Sequence, residues 1–247
     1  MSNIISLQLY TLRDLMSNDW QSTLKKVAEI GYKGIELAGF PTDAQTFKSF
    51  LDLVGLTVTG AHIAIDQIEN EYNNIINFAK TVGFENIIIP YYAEEERSTK
   101  EACLKSAQRI NELGKKLKND GLKLLYHNHD FEFKKVEDTT FFEVLYNNTD
   151  KEYLNFEFDL FWVTYSGQDA LEFIKKYQDR TSIIHVKDMN AETRKFTEVG
   201  TGIVDYKSIV DYMKDKVEIF VVEQDICFTL PPIESIAVSY NNLSKMF

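Results

Sequence analysis

Gly121-Leu122-Lys123-Leu124-Leu125-Tyr126-His127-Asn128-His129 follows a stretch with helical spacing near Thr99–Asn119 and decides how the rest of the chain reads. Gly121 sits where a helix C-cap wants a left-handed residue, the short apolar run after it reads as a strand, and polar residues end that strand. The same unit recurs in both directions. Strands are expected near Ile4–Leu9, Gly34–Leu37, Thr57–His62, Asn86–Pro90, Lys123–His127, Leu154–Asp159, Ser182–Val186 and Glu218–Glu223. Helices are expected near Trp20–Ile30, Ala44–Leu53, Gln67–Val82, Thr99–Asn119, Thr140–Asn148, Ala170–Tyr177, Tyr206–Lys214 and Ile233–Lys245. Gly31, Gly55 and Gly83 punctuate earlier helix ends as Gly121 does. Eight units in 247 residues average about 31 residues each, which suits parallel strands joined by crossover helices. Eight such units close into a (β/α)8 TIM barrel, and the whole chain, residues 1–247, reads as one domain. A doubly wound open sheet usually needs fewer strands, and no Gly-x-Gly-x-x-Gly turn follows the first one.

Composition narrows the function classes. With 44% hydrophobic and 26% charged residues the chain has ample apolar mass for a large core, which excludes general disorder. The net charge of −11, and the absence of any Lys/Arg run longer than two, make it a poor partner for nucleic acid. Two distant cysteines, Cys103 and Cys227, form neither a disulfide framework nor a thiolate metal site. No signal peptide and no apolar run of membrane-spanning length are read, so the expectation is a cytoplasmic protein without membrane contact. Self-association is compatible with all of this.

A barrel keeps its chemistry at the carboxyl ends of its strands. All four histidines fall there: His62 ends the third strand, His127 and His129 end the fifth, and His185 ends the seventh. For each alone, a satisfied core or rim histidine is the blander reading; four on one face point to a shared site. Carboxylates join them. Asp159 closes Asn155-Phe156-Glu157-Phe158-Asp159, Glu223 closes Ile219-Phe220-Val221-Val222-Glu223, Glu36 follows Gly34-Ile35, and Glu132 lies just past the fifth strand. A carboxylate ending so apolar a run is costly to desolvate unless a salt bridge or a metal balances it. One His with two or three carboxylates makes a hard site for one divalent ion, whether Mn, Mg, Fe, Co or Zn.

The residues also resemble a known family. Ser6-Leu7-Gln8-Leu9-Tyr10-Thr11-Leu12-Arg13-Asp14, Gly31-Tyr32-Lys33-Gly34-Ile35-Glu36-Leu37, Tyr126-His127-Asn128-His129-Asp130-Phe131-Glu132-Phe133, His185-Val186-Lys187-Asp188, Glu198-Val199-Gly200-Thr201-Gly202-Ile203-Val204-Asp205-Tyr206 and Val222-Glu223-Gln224-Asp225 together resemble the xylose-isomerase-like barrel superfamily, in particular its sugar phosphate isomerase/epimerase group. The resemblance covers almost the whole chain and implies one divalent metal held by a Glu, an Asp, a His and a Glu after strands five to eight. Carried over by position, the last three are Asp159, His185 and Glu223. Where many relatives have Glu-Asn-His this chain has His127-Asn128-His129, so either His127 is itself a ligand or Glu132 folds back to replace the carboxylate. Glu132 is the expected ligand, since it keeps a third carboxylate in the site. The abasic-site endonucleases of the superfamily use more histidines and a basic face, which this chain lacks.

The resemblance implies an isomerase or epimerase acting on a sugar or keto-sugar by proton abstraction next to a carbonyl. Glu132 and Glu223 are its acid/base pair, and His62, His127, His129, Lys187, Glu36 and Trp162 line the substrate. The same enolate can expel a leaving group, so keto-sugar lyase or dehydratase action is the alternative, and a sugar-binding barrel without turnover is the non-enzyme reading. Lys187 reads equally as a donor to substrate or as a surface lysine balancing Asp188. The Gly200-Thr201-Gly202 loop reads as a phosphate cradle or a plain turn, and Tyr91, Tyr92, Phe161 and Trp162 as sugar-stacking or rim-packing aromatics.

Overall fold

The computed structural model describes residues 3–247. Eight parallel strands, β1 (Ile4–Gln8), β2 (Gly34–Leu37), β3 (Thr57–His62), β4 (Asn86–Ile89), β5 (Lys123–His127), β6 (Asn155–Asp159), β7 (Thr181–Val186) and β8 (Ile219–Val222), pair in chain order. The sheet closes where β8 pairs β1, with Ile4 opposite Ile219 and Leu7 opposite Val222. Helices α1 (Arg13–Ile30), α2 (Ala44–Val54), α3 (Tyr72–Val82), α4 (Lys100–Asn119), α5 (Phe141–Asn148), α6 (Ala170–Tyr177), α7 (Tyr206–Met213) and α8 (Pro232–Leu243) follow the strands in turn. This is a single-domain (β/α)8 barrel.

Strand periodicity sorts the side chains. Successive residues face opposite sides of a strand. Leu7, Ile35, Ile87, Ile89, Leu124, Phe156, Phe158, Ile184, Val186, Phe220 and Val222 belong to the large core shared with the helices. The intervening positions Ile88, Leu125, Ile183 and Val221 form a separate apolar plug inside the barrel. Burying each such side chain contributes about 1.5–3 kcal/mol, so neither face of these strands can slip register without losing much of the core. Gly60 lies on β3 against that interior. A Cβ there would meet Ile88 Cδ1 at 2.5 Å and Glu36 Oε1 at 3.2 Å, so only glycine leaves room for both.

Several boundaries differ from the sequence expectation. Helix α1 begins at Arg13 rather than Trp20 and breaks at Asp19 (φ −156°, ψ 88°). Asp19 Oδ1 accepts from Ser22 N at 3.0 Å, so it caps the second half; the expected start marked that internal cap. The helix expected over 67–82 is two, Ile65–Asn70 and α3, divided at Glu71. A further six-residue helix, Leu160–Tyr165, follows β6 directly. Two short antiparallel ribbons, Lys135–Val136 with Thr139–Thr140 and Asp188–Met189 with Phe196–Thr197, decorate the loops after β5 and β7. Gly55 ends α2 in the left-handed region at φ 73°, as its position implied. Among the described residues no helix is long and apolar enough to cross a membrane.

Candidate metal centre and substrate cavity

The carboxyl ends of β2, β3, β5, β6, β7 and β8 bring Glu36, His62, His127, Glu157, Asp159, His185 and Glu223 together, all buried except for the partly open His62. They follow from the alternation that builds the plug. One pair of residues along from Leu125 is His127, from Ile183 is His185, and from Val221 is Glu223. The interior is therefore apolar at mid-height and ionisable at the mouth.

One atom each from His127, Asp159, His185 and Glu223 lies within 4.8 Å of the others. His185 Nδ1 is 3.1 Å from Glu223 Oε2, and His127 Nε2 is 3.8 Å from Asp159 Oδ2. Two imidazoles and two carboxylates converging from four strands suit a divalent ion of the first transition row or Mg. The convergence on positive charge is visible directly. The ammonium of Lys187, fully buried, lies 2.9 Å from Asp159 Oδ2, 2.7 Å from Glu223 Oε2 and 2.9 Å from Asp225 Oδ2. The donor set thus fits a metal cation. Asp159 serves two masters: its Oδ1 caps the 160–165 helix, accepting from Phe161 N at 2.9 Å and Trp162 N at 3.3 Å, which leaves Oδ2 for the cluster. Asn128 locks the ends of β5 and β6 together, donating from Nδ2 to Asp159 O and accepting Asp159 N on Oδ1.

Burial and mutual charge set the ionisation. Burial pushes Asp159 up to about 6, against the pull of Lys187. Burial would raise Glu223 as well, but Lys187 and His185 draw it well below the usual carboxylate range. Lys187 resists the desolvation that would neutralise it because Asp159, Asp225 and Glu223 hold it charged. Burial likewise opposes a charged His62, yet Glu36 and Glu157 hold its pKa up at about 10. His129 is pushed down to about 3 by burial and then Lys187, so it is neutral.

Above the cluster opens a cavity of about 460 Å³ lined by Tyr10, His62, Gln67, Tyr91, His127, His129, Glu223 and Asp225, with Ala38, Gly39 and Pro90. Of the residues expected to meet substrate, His62, His127 and His129 line it. Glu36 lies deeper, its Oε2 accepting from Gln8 Nε2 at 2.8 Å and lying 2.7 Å from His185 Nε2. Trp162 is adjacent to His129, ring centroids 5.5 Å apart, with a buried indole Nε1 that has no partner. Tyr91 is half exposed on the cavity, whereas Tyr92 and Phe161 are core residues.

Glu132 is placed elsewhere. Its Oε1 accepts from Tyr126 OH at 2.7 Å and its Oε2 from the backbone N–H of His129 at 2.7 Å. Tyr126 faces the helix layer, outside the barrel wall, and belongs to the core there. The turn Phe131–Phe133 therefore carries Glu132 to the outer side of β5, and it is His127 that joins Asp159, His185 and Glu223. Lys187 is not a surface lysine and does not balance Asp188. Asp188 instead accepts the N–H groups of Met189, Gly200, Gly202 and Val204. That occupies the backbone donors of the Gly200-Thr201-Gly202 loop and removes the phosphate-cradle reading.

Tyr10, Gln67 and Asp225 join the cavity wall without having been expected there, and Glu157 is the buried charged residue that the sequence hides best. Flanking phenylalanines make its run read as simply apolar, but period two in Asn155-Phe156-Glu157-Phe158-Asp159 puts Glu157 and Asp159 on the same inner face.

The closed barrel carries at its carboxyl end a convergent His/carboxylate cluster that could hold a divalent ion. Residues 24–227 match the model of the xylose isomerase-like TIM barrel family, and the chain belongs to that family. It is similar to an inosose dehydratase of Clostridium perfringens, 25% identical over 236 residues that cover 80% of this chain and 79% of the relative. Its fold is similar to the crystal structure of a sugar phosphate isomerase/epimerase from Parabacteroides distasonis, with a TM-score of 0.85 at 19% identity, covering 100% of this chain and 96% of that one. It is also similar to a structure of the IolI protein with a bound zinc atom, with a TM-score of 0.77 at 15% identity and 99% of both chains covered.

Proposed function

We propose that the chain is a divalent-metal-dependent enzyme of sugar metabolism that removes the proton next to the carbonyl of a polyhydroxylated ketone and eliminates the oxygen substituent one carbon further on. His127 Nε2, Asp159 Oδ2, His185 Nδ1 and Glu223 Oε2 would hold the ion. A zinc-bound neighbour of the same fold supports the reading. When bound, the ion polarises the carbonyl and acidifies the adjacent C–H.

The observation that carries elimination over epimerisation is the placement of acid and base. The two-carboxylate epimerisation that the family resemblance implies draws on a carboxylate on each face of the sugar. Here both carboxylates lining the cavity, Glu223 and Asp225, come from the end of β8, while Glu132 is committed to Tyr126 and His129. The other polar walls are imidazoles. Elimination needs one base and one donor. Glu223, ionised, takes the C–H proton; the electron pair forms the new C=C bond as the C–O bond breaks. His62, protonated between Glu36 and Glu157, supplies the proton with which the substituent departs as water or an alcohol. Tyr10 and Tyr91 offer apolar faces to a sugar ring at the rim. The similarity to an inosose dehydratase points the same way.

The test is to mix metal-loaded protein with inosose and with keto-sugars in D₂O. Deuterium entering beside the carbonyl, together with a new conjugated-carbonyl absorbance, is the expected result. Exchange yielding an epimer without elimination would return the chain to the isomerase/epimerase class, and binding without exchange would make it a sugar-binding barrel.

A further inference from the structure

Beneath the four donor atoms lies a second buried layer that the reaction does not use directly. Glu157, fully buried on β6, has its Oε1 2.9 Å from His127 Nδ1, 3.0 Å from His185 Nε2 and 2.7 Å from His62 Nε2. Glu36 sits beside it on β2, its Oε2 2.7 Å from His185 Nε2 and 3.0 Å from His62 Nε2. Each of the two central imidazoles therefore has one nitrogen on the upper donor group and the other on this layer. His127 turns Nε2 up and Nδ1 down; His185 turns Nδ1 up and Nε2 down.

We propose that Glu157 and Glu36 are positioning residues for the metal centre, each acting on one of its two histidine ligands. By accepting the Nδ1–H of His127, Glu157 fixes the tautomer and ring plane of that imidazole, and Glu36 does the same for His185 by accepting its Nε2–H, so that the lone pairs of His127 Nε2 and His185 Nδ1 point at the ion. Glu36 is itself anchored by Gln8, and Glu157 Oε1 lies a little farther from the same His185 nitrogen, at 3.0 Å. The proposal rests on the metal reading above but not on the reaction assigned to it.

Two features favour this role over a merely structural one. Among the described residues neither of these two neighbouring buried carboxylates meets an Arg or Lys, imidazoles being their only charge partners, and Glu36 Oε1 and Glu157 Oε2 have no hydrogen-bond partner. Such a pair is expensive to bury, and apolar residues of similar volume are often as stable. The alternative is a second ion. His62, His127, Glu157 and His185 also offer atoms within 4.8 Å of one another. An ion there would take the lower nitrogens of the same two histidines. With both sites filled, each imidazole would bridge two ions and keep no proton, whereas hydrogen bonds to Glu157 and Glu36 explain the same contacts with one ion and two ordinary neutral rings.

The test uses the full chain and Zn²⁺ or Co²⁺ alone. Glu157→Gln should weaken Zn²⁺, measured by competition with a chromophoric chelator, by about 10- to 100-fold and change the Co²⁺ absorption bands, with the melting transition still cooperative. Glu36→Gln should weaken binding by a similar factor, because the hydrogen bond that orients His185 is the one to Glu36. Nitrogen-15 NMR of the Zn²⁺-loaded wild type needs no variant to fold, and should show His127 protonated on Nδ1 and His185 on Nε2. Affinity within twofold of wild type with unchanged Co²⁺ bands, the opposite tautomers, or two ions per wild-type chain would each overturn the proposal. A wild type that binds no ion overturns the metal reading itself, whereas failure of deuterium exchange with these readouts intact overturns only the assigned reaction.

Discussion

The two ends of the barrel interior are both polar, and they are polar in different ways. At the amino end, Ser6 Oγ lies 2.7 Å from Thr59 Oγ1, Thr59 Oγ1 donates to Ile35 O, and Asn86 Nδ2 donates to Thr59 O at 2.8 Å. These are short neutral side chains whose hydrogen bonds are satisfied locally. At the carboxyl end the same inward positions hold Glu36, Glu157, Asp159, Glu223, three histidines and Lys187, which satisfy one another only as a set. The plug of Ile88, Leu125, Ile183 and Val221 separates them. One end serves closure of the sheet; the other stores charge for chemistry. Substitutions at the mouth should therefore change metal and turnover far more than folding, and substitutions at the plug and floor the reverse.

The largest effect expected is at Asp159. Asp159→Asn should lose metal without unfolding the barrel; retained stoichiometric metal by atomic emission would remove Asp159 from the ligand set. Glu223→Gln, compared at matched metal occupancy, should cut turnover by about 10²-fold or more, as for loss of a general base. Turnover surviving that substitution would move the base to an imidazole. His127→Gln should weaken metal binding, while Glu132→Gln should leave it unchanged. The opposite ranking would mean that the loop after β5 rearranges when the ion binds.

The plug breaks the comparison from the other side. Ile88→Ala should cost about 2–5 kcal/mol of stability, read by urea denaturation, with Zn²⁺ affinity preserved. A large loss of metal in a variant that still folds would show that the mouth is not built independently of the packing beneath it.

Glu132 gives a pH-dependent contrast. Burial outweighs its two donors, Tyr126 OH and His129 N–H, and raises its pKa from 4.5 to about 7. The native state then binds more protons than the unfolded chain between those values. Stability from this group is full at low pH and is lost as pH rises through about 7. The shift corresponds to about 3 kcal/mol. The stability gap between wild type and Glu132→Gln should therefore narrow by an amount of that order between pH 4.5 and pH 8; a gap independent of pH would show that Glu132 is ionised throughout.

Much of this was legible in the sequence. All eight strands stood out because β-branched and apolar runs alternate with helical stretches, four of them following a helix-ending glycine, and the mouth stood out because the histidines and carboxylates end those runs. Three things were hidden for physical reasons. Glu157 sits inside its run, where two phenylalanines mask the alternation. The direction in which Phe131–Phe133 turns is set by Tyr126 on the far face of β5, so spacing alone could not tell Glu132 from a ligand. Lys187 is read as exposed by any burial preference, and only the convergence of Asp159, Glu223 and Asp225 makes its burial tolerable.

The smallest effect tests the floor. Thr59 Oγ1 donates to Ile35 O at 3.1 Å, so the bond between the two hydroxyls must be donated by Ser6. Ser6→Ala removes that donor and leaves Thr59 still bonded to the backbone. No buried donor is left without a partner, so the cost should be that of one net hydrogen bond, about 1 kcal/mol. Thr59→Val removes more: the donor to Ile35 O is lost, and the Ser6 hydroxyl is left buried without its acceptor. It should cost more than Ser6→Ala by roughly 1–3 kcal/mol. Both should leave Zn²⁺ affinity and deuterium exchange at wild-type values. If Ser6→Ala proves costlier than Thr59→Val, the hydroxyl pair is donated in the other direction. If either alters exchange, the floor and the mouth are coupled through the plug and do not act as separate parts of one barrel.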